Sequence, residues 1–303
     1  MSPGFILVSV AIEARAAPVL PLMLTAIEAA RKNDSRTVTS CLRTFAERLD
    51  DLGTLLQRMH ESCDPHVFYN RIRPFLAGSK NMEEAGLPNG VFYDEGNGVG
   101  KYHKLSGGSN AQSSILQFFD IVLGIEHRPT GEKKDAASES EAEGAHRRFL
   151  EDMSVVANIR DFVEAHTNDH ELCLAYDACL AMLRTFRDKT YCYCHSLYRH
   201  QIPRKVDIAT ASRGKGDDEE KKRKLKGTGG TALIPFLKQA RDETGEPTID
   251  SWARRVMNRD LNTKGTGDFF VGKLDERTDG GLELGGLAGT WTLDEEVGGL
   301  CHY

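Results

Sequence analysis

Seven apolar residues recur along one stretch at helical spacing. Val38, Leu42, Phe45, Leu49, Leu52, Leu56 and Met59 follow one another at intervals of 4, 3, 4, 3, 4 and 3 residues. Only a helix gathers such positions into one stripe, and a stripe this long needs other helices to cover it. "NDS" at 33–35 supplies N-cap candidates for this helix. Strand-like alternation is scarce elsewhere and no internal repeat is visible. The fold class expected is therefore all-α, a helical bundle.

Other segments sort by the same local rules. "GFILVSVAIEARAAP" (4–18) reads as a buried helix, interrupted by Pro18 and Pro21 and continued over 22–32. "FYNRIRPFLAG" (68–78) is helix-like up to Pro74. Residues 79–110 are rich in Gly and Asn and too long for a simple connection, which makes them a candidate functional loop. "GGSNAQSSILQFFDIVLGI" (107–125) turns from glycines into an apolar helix, and further helices are expected over about 146–167 and 170–189. The polar stretches 128–145 and 206–226 read as linkers. "GTGGTALIPFLKQARDETG" (227–245) is a glycine loop leading into an amphipathic helix. One large helical domain over 1–245 is expected, followed by a Gly-rich, poorly ordered tail over 246–303.

Composition excludes some classes of function. A net charge of −6 argues against a nucleic-acid binder, which needs a basic face. The apolar run "FILVSVAI" (5–12) is too short to span a bilayer and lacks a basic leader, so no membrane segment is expected. The seven cysteines are odd in number and mostly in helical context, which points to reduced thiols in a cytoplasmic protein, expected to be a monomer.

Four motifs bear on chemistry, each with a plain alternative. Gly107 and Gly108 ahead of a helix let backbone approach a flat or anionic ligand, or simply precede an N-cap at Ser109 or Asn110. Arg71 and Arg73 suit a carboxylate clamp or a surface ion pair. "GTGGT" (227–231) suits a lid offering Thr228 and Thr231, or a flexible linker; it lacks the Lys-Ser/Thr ending of a P-loop. "TYCYCHSLYRH" (190–200) offers Cys192, Cys194, His195 and His200, but C-x-C is off the usual zinc spacing and no second pair lies nearby.

Taken together, the chain resembles the indoleamine 2,3-dioxygenase family, most of all its fungal members. The resemblance rests on "GFILVSVAIEARAAP", "FYNRIRPFLAGSKN", "GLPNGVFYDEG", "GGSNAQSSILQFFDIVLGI", "HRRFLEDM", "AYDACLAMLRTFRDK" and "KGTGGTALIPFLKQARDETGE", in the family's order over about 4–189 and 225–245. It implies an all-α protein whose large domain holds one haem b and opens the indole C2–C3 bond of L-tryptophan or a related indoleamine with O2. The product would be N-formylkynurenine, on the kynurenine route that feeds NAD synthesis in fungi. The haem carries the oxygen chemistry, and the protein supplies an axial ligand and a shaped pocket.

Residue by residue, the resemblance places Phe5 and Ser9 in the distal pocket, and Phe68 and Arg73 at the substrate, with Arg73 on its carboxylate. Ser109 and Thr228 become substrate contacts, and Gly108, Asn110 and Ala111 lie over the haem face. Asp120 and Arg187 fall where the family has polar groups near the haem.

The chain also departs from the family. It starts at the family's distal helix, so the small N-terminal domain is expected to be absent, and 246–303 matches nothing in the family. After "FRDK" the family has its proximal histidine, and here that position is Thr190, which cannot replace an imidazole on iron. His195 is the nearest substitute, but it lies five residues on, more than one helical turn away. Read one base later, codons for "TYCYCHSLYRHQI" can specify H-I-A-I-V-T-R-Y-I-V-I, a close fit to the family's helix. A frameshift or misdrawn exon edge from about Thr190 to Pro203 is therefore expected, and an uninterrupted in-frame transcript encoding Thr190 would sink that idea. The expectation from residues and resemblance together is a haem dioxygenase by descent, inactive as written. Two alternatives remain: a haem-free helical relative that keeps the indole pocket, and a zinc protein through Cys192, Cys194, His195 and His200.

Overall fold

The computed structural model describes residues 4–76, 78–81, 86–105, 107, 113–128, 144–199, 233–257, 282–286 and 289–293. It divides into two compact units, Met1–Asp250 and Ser251–Tyr303. The first holds helices α1 (Gly4–Ala16), α2 (Val19–Arg31), α3 (Ser35–Gln57), α4 (Met59–Ser62), α5 (Pro65–Val67), a π-helix (Phe68–Ile72), α6 (Arg73–Leu76), α7 (Ser114–Leu123), α8 (Gly144–Val156), α9 (Ile159–Ala165), α10 (His170–Arg199) and α11 (Leu233–Thr244). The described parts of the second unit are a helix, α12 (Ser251–Met257), and an antiparallel hairpin pairing Leu282–Gly286 with Gly289–Leu293.

The all-α expectation holds, and α3 shows why. Asp34 caps it, its carboxylate accepting from the Thr37 backbone N–H at 3.1 Å. Val38, Leu42, Phe45, Leu49, Leu52 and Leu56 are all buried along one face. The last of the seven stripe residues, Met59, opens α4 after a break at Arg58, and is itself buried. The stripe is covered by α1 and α2 on one side and by α10 on the other. Two buried polar side chains of this core find partners within it: the Cys179 thiol donates to the Leu42 carbonyl at 3.0 Å and the Tyr176 hydroxyl to the Leu123 carbonyl at 2.6 Å. Phe45 meets Phe119 of α7 edge-on at 5.0 Å. Each such fully buried large side chain contributes about 1.5–3 kcal/mol.

The α1–α2 pair differs from the short apolar run read in the sequence. Gly4–Arg31 together makes 28 residues, with an 18-residue window of mean hydropathy 1.7, long and apolar enough by length and composition to cross a bilayer. Its inner positions are committed to the core through Val8, Ile12, Ala16, Val19, Met23 and Ile27, while Ile6, Leu7 and Val10 face outward.

Several boundaries fall elsewhere than the sequence placed them. The Gly/Asn-rich stretch 79–110 contains a β-hairpin, Val91–Gly96 (β1) against Val99–His103 (β2). Asn97 and Gly98 both take positive φ, 56° and 76°, as the two-residue turn of a twisted hairpin requires. Helix continues past Pro74, which falls in α6 directly after the π-helix. The expected 146–167 helix is two helices, and α10 runs on to Arg199. The expected tail boundary at 245 also moves. Asp177 of α10 accepts the backbone N–H groups of Ile249 (2.8 Å) and Asp250 (2.9 Å), and Thr248 is fully buried, so 246–250 belong to the first unit.

Candidate functional site

Two groups of predicted residues come together. In the first, Phe5 of α1 and Phe68 of the π-helix bring their rings to 4.8 Å at a tilt of 53°. Ser9 lies one turn along α1 and donates its hydroxyl to the Phe5 carbonyl at 2.9 Å. Arg73 follows Phe68 by five residues, at the junction of the π-helix with α6, and is half-buried. A π-helix turn adds a residue to the α-helical repeat, which re-aims the side chains after it; such turns recur at functional sites. The α4–α5–π-helix run packs on α10 through Tyr193, which is buried, meets the His60 ring edge-on at 5.1 Å and has the Cys63 thiol beside it.

The second group is a charged network. Arg187 of α10 donates from Nη2 to both Asp120 oxygens at 2.7 Å. Its Nη1 donates to the Ala240 carbonyl at 3.3 Å and to the Thr244 hydroxyl, both on α11. Asp120 also meets His127 Nε2 at 3.1 Å, and His127 Nδ1 meets Glu243 of α11 at 2.7 Å. The other Glu243 oxygen accepts from the Arg128 backbone N–H (3.1 Å) and from Gln239 (2.8 Å). Gly124 makes this possible. It ends α7 in the left-handed region at φ 66°, where the Ile125 N–H returns to the Asp120 carbonyl at 2.9 Å and the chain doubles back to bring His127 beside Asp120. A Cβ at Gly124 would sit 2.7 Å from Arg160 Cδ.

Hydrogen bonding to Asp120, more than any other influence, raises the His127 pKa above its ordinary 6.5, against the opposing effect of burial. Burial alone would raise the Glu243 carboxyl, but the hydrogen bonds from His127, Gln239 and the Arg128 N–H outweigh it and hold the group below its ordinary 4.5.

Thr190 follows Arg187 by three residues, about 4.5 Å along the helix axis. Its hydroxyl donates to the Phe186 carbonyl one turn back at 2.9 Å. It shares a helix face with buried Phe186 and Tyr193, so it points inward, where the resemblance puts an iron ligand. Haem b fits this chain only in part. Asp120 and Arg187 are together, but the residue at the axial position is a short neutral alcohol already bonded to its own helix. Among the described residues no three His, Cys, Asp or Glu side chains gather as a ligand set. Among the described residues, the one at the axial position does not fit the iron of a haem.

Among the described residues zinc finds no better donors. Cys192 and Cys194 are two positions apart on α10 and point to different sides. Burial pushes the Cys194 thiol up to about 12 and raises Cys192 as well, the reverse of what a ligand thiolate needs. His195 has its backbone in α10, its side chain lying outside the described residues. Gly108, Ser109, Asn110, Ala111, His200, Thr228 and Thr231 also lie outside them. A surface cavity of about 390 Å³ is lined by Ile121, Gly124, Ile125, Asn158 and Arg160, among others; none of the predicted site residues lines it, and the ring pair and charged network mark the site better. The sequence reading missed His127, Glu243 and Thr244. Their partners are 7, 116 and 57 residues away, and no local spacing announces them.

An all-α core that brings together an aromatic pair from α1 and the π-helix, and a buried Asp–Arg pair from α7 and α10, defines a helical domain with a candidate binding site. A family model for indoleamine 2,3-dioxygenase matches residues 2–247. The chain is 42% identical over 245 residues to an indoleamine 2,3-dioxygenase of Aspergillus nanangensis, covering 79% of this chain and 58% of that protein. It is 35% identical to the indoleamine 2,3-dioxygenase of Saccharomyces cerevisiae (73% of this chain, 53% of that one). To a 6-hydroxytryptophan 2,3-dioxygenase of Fusarium equiseti it is 33% identical (80% and 60%). The chain belongs to the indoleamine 2,3-dioxygenase family. It spans a little over half the length of these relatives.

Proposed function

We propose that the chain is the helical domain of a tryptophan-type 2,3-dioxygenase that keeps an indole amino-acid pocket, and that its haem-dependent ring opening is disabled as written by Thr190. The observation that carries this reading is the pairing of Phe5 with Phe68 at 4.8 Å, with Arg73 five residues on. Two aromatic faces suit a flat indole, and a guanidinium suits the carboxylate of an amino acid. The substrate class is L-tryptophan or a related indoleamine, in keeping with the relatives' names, one of which specifies 6-hydroxytryptophan. Haem, when bound by a family member, supplies the O2 chemistry at the indole C2–C3 bond; this chain's residues bind and orient the indole. The physiological setting that goes with this reading is cytoplasmic tryptophan catabolism towards kynurenine and NAD.

The pocket can be tested apart from turnover. Calorimetric titration with L-tryptophan should show saturable binding by the unsubstituted chain. Arg73→Ala should weaken it about 10- to 100-fold, the value of a charge-assisted hydrogen-bond pair. Absence of binding by the folded chain, or equal binding by the variant, would remove the indole reading.

A further inference from the structure

His127 is held in a way the proposed reaction does not explain. Both ring nitrogens meet a carboxylate, Nε2 that of Asp120 at 3.1 Å and Nδ1 that of Glu243 at 2.7 Å. A neutral imidazole has one N–H, so it can donate to only one of them; an imidazolium donates to both. The two carboxylates belong to different helices, α7 and α11, which are far apart in sequence. We propose that His127 is a pH-responsive clasp that fastens α11 to the end of α7 while protonated and releases it on losing its proton.

The charges facing the imidazole explain why the release has a direction. From α7 comes Asp120, from α10 Arg187, and from α11 Glu243, with neutral Gln239 beside it. The neighbouring Arg128 offers Glu243 its backbone N–H and sends its guanidinium away to Glu246. With His127 protonated, two cations face two anions and the network is neutral. Proton loss leaves one negative charge uncompensated. Asp120 keeps its two-pronged Arg187 contact, so the deficit falls on Glu243, whose side chain is only 5% exposed. The contact that fails is therefore the one that holds α11.

The pH window follows from the two shifts. His127 is raised, so the clasp is complete below 6.5 and is lost as pH rises through its higher folded value. Glu243 is lowered, so on the acid side the clasp persists to below 4.5. Because α11 also supplies Thr244 and the Ala240 carbonyl to Arg187, release loosens the arginine three residues before position 190. The clasp operates whether or not the chain takes an indole.

Two measurements on the intact chain test it. In a histidine-labelled sample followed by NMR, both His127 nitrogens should be protonated below 6.5 and lose a proton only as pH rises above it. Hydrogen exchange over 233–250, normalised for intrinsic rates, should lose about tenfold protection across that titration, as expected for one charge-assisted hydrogen bond. His127→Gln should abolish the pH step. His127 titrating at or below 6.5 would overturn the clasp. So would unchanged α11 protection across its titration, or an undiminished pH step in the variant. Should His127→Gln not fold, Glu243→Gln serves instead: it should lower the His127 pKa and flatten the same step, and an unaltered step would count equally against the clasp.

Discussion

Thr190→His is expected to convert a chain that takes up no haem into one that does. Supplied with hemin, the unsubstituted chain should show no Soret band that shifts on reduction with CO, and the variant should show one. The argument is one of donor chemistry. Residue 190 faces the buried side of α10, between Phe186 and Tyr193, and its present hydroxyl is committed to the Phe186 carbonyl at 2.9 Å. An imidazole can bond its own helix through Nδ1, as His166 does to the Phe162 carbonyl at 2.8 Å, and still present Nε2, the ligand type that haem iron takes in such sites. Changing groups that merely orient a metal ligand moves affinity by about 10- to 100-fold, so restoring the ligand itself should exceed that. A full, CO-sensitive Soret band in the unsubstituted chain would show that another residue ligates the iron. Failure of the folded variant would move the fault to the rest of the 190–203 segment.

What the sequence disclosed, and what it withheld, divides by range of interaction. The α3 stripe, the apolar α7 and the Asp34 cap are local, so spacing and cap chemistry announced them. The ring pair was legible only through family blocks, since Phe5 and Phe68 are 63 positions apart and neither is unusual where it stands. The hairpin at 91–103 was marked by Asn97–Gly98, but its strand residues are mostly exposed and carry no alternation of apolar and polar positions, so the stretch read as loop. α10 runs on through "TYCYCHSLYR" although that segment is rich in weak helix formers. Tertiary packing supplies what propensity lacks, for Tyr193 is buried against His60 and Cys63. The charged network was the least legible feature. It assembles α7, the turn after Gly124, α10 and α11, and each member read alone is an ordinary polar residue near a helix end.

That network should also be where a single substitution does most damage to stability. Asp120→Ala leaves the Arg187 guanidinium, whose side chain is 15% exposed, without its two-pronged partner, and strips His127 of one of its two. Removing one member of a buried pair costs about 3–5 kcal/mol, because the surviving charge stays desolvated. Arg187→Ala should fall in the same range, since it leaves Asp120 with His127 alone and takes a shared donor from the Thr244 hydroxyl and the Ala240 carbonyl. The two losses should not add. Once either partner is gone the other has little left to lose, so the double variant should lie well short of the sum in urea denaturation. Replacing both by apolar residues of similar length, Asp120→Leu with Arg187→Met, should recover part of the loss, because no buried charge is then stranded between them. A loss below about 1 kcal/mol for either single variant would mean that the pair behaves as a solvated surface contact. Arg187 would then be free to move, and the wall behind position 190 would lack the rigidity that an axial ligand needs from it.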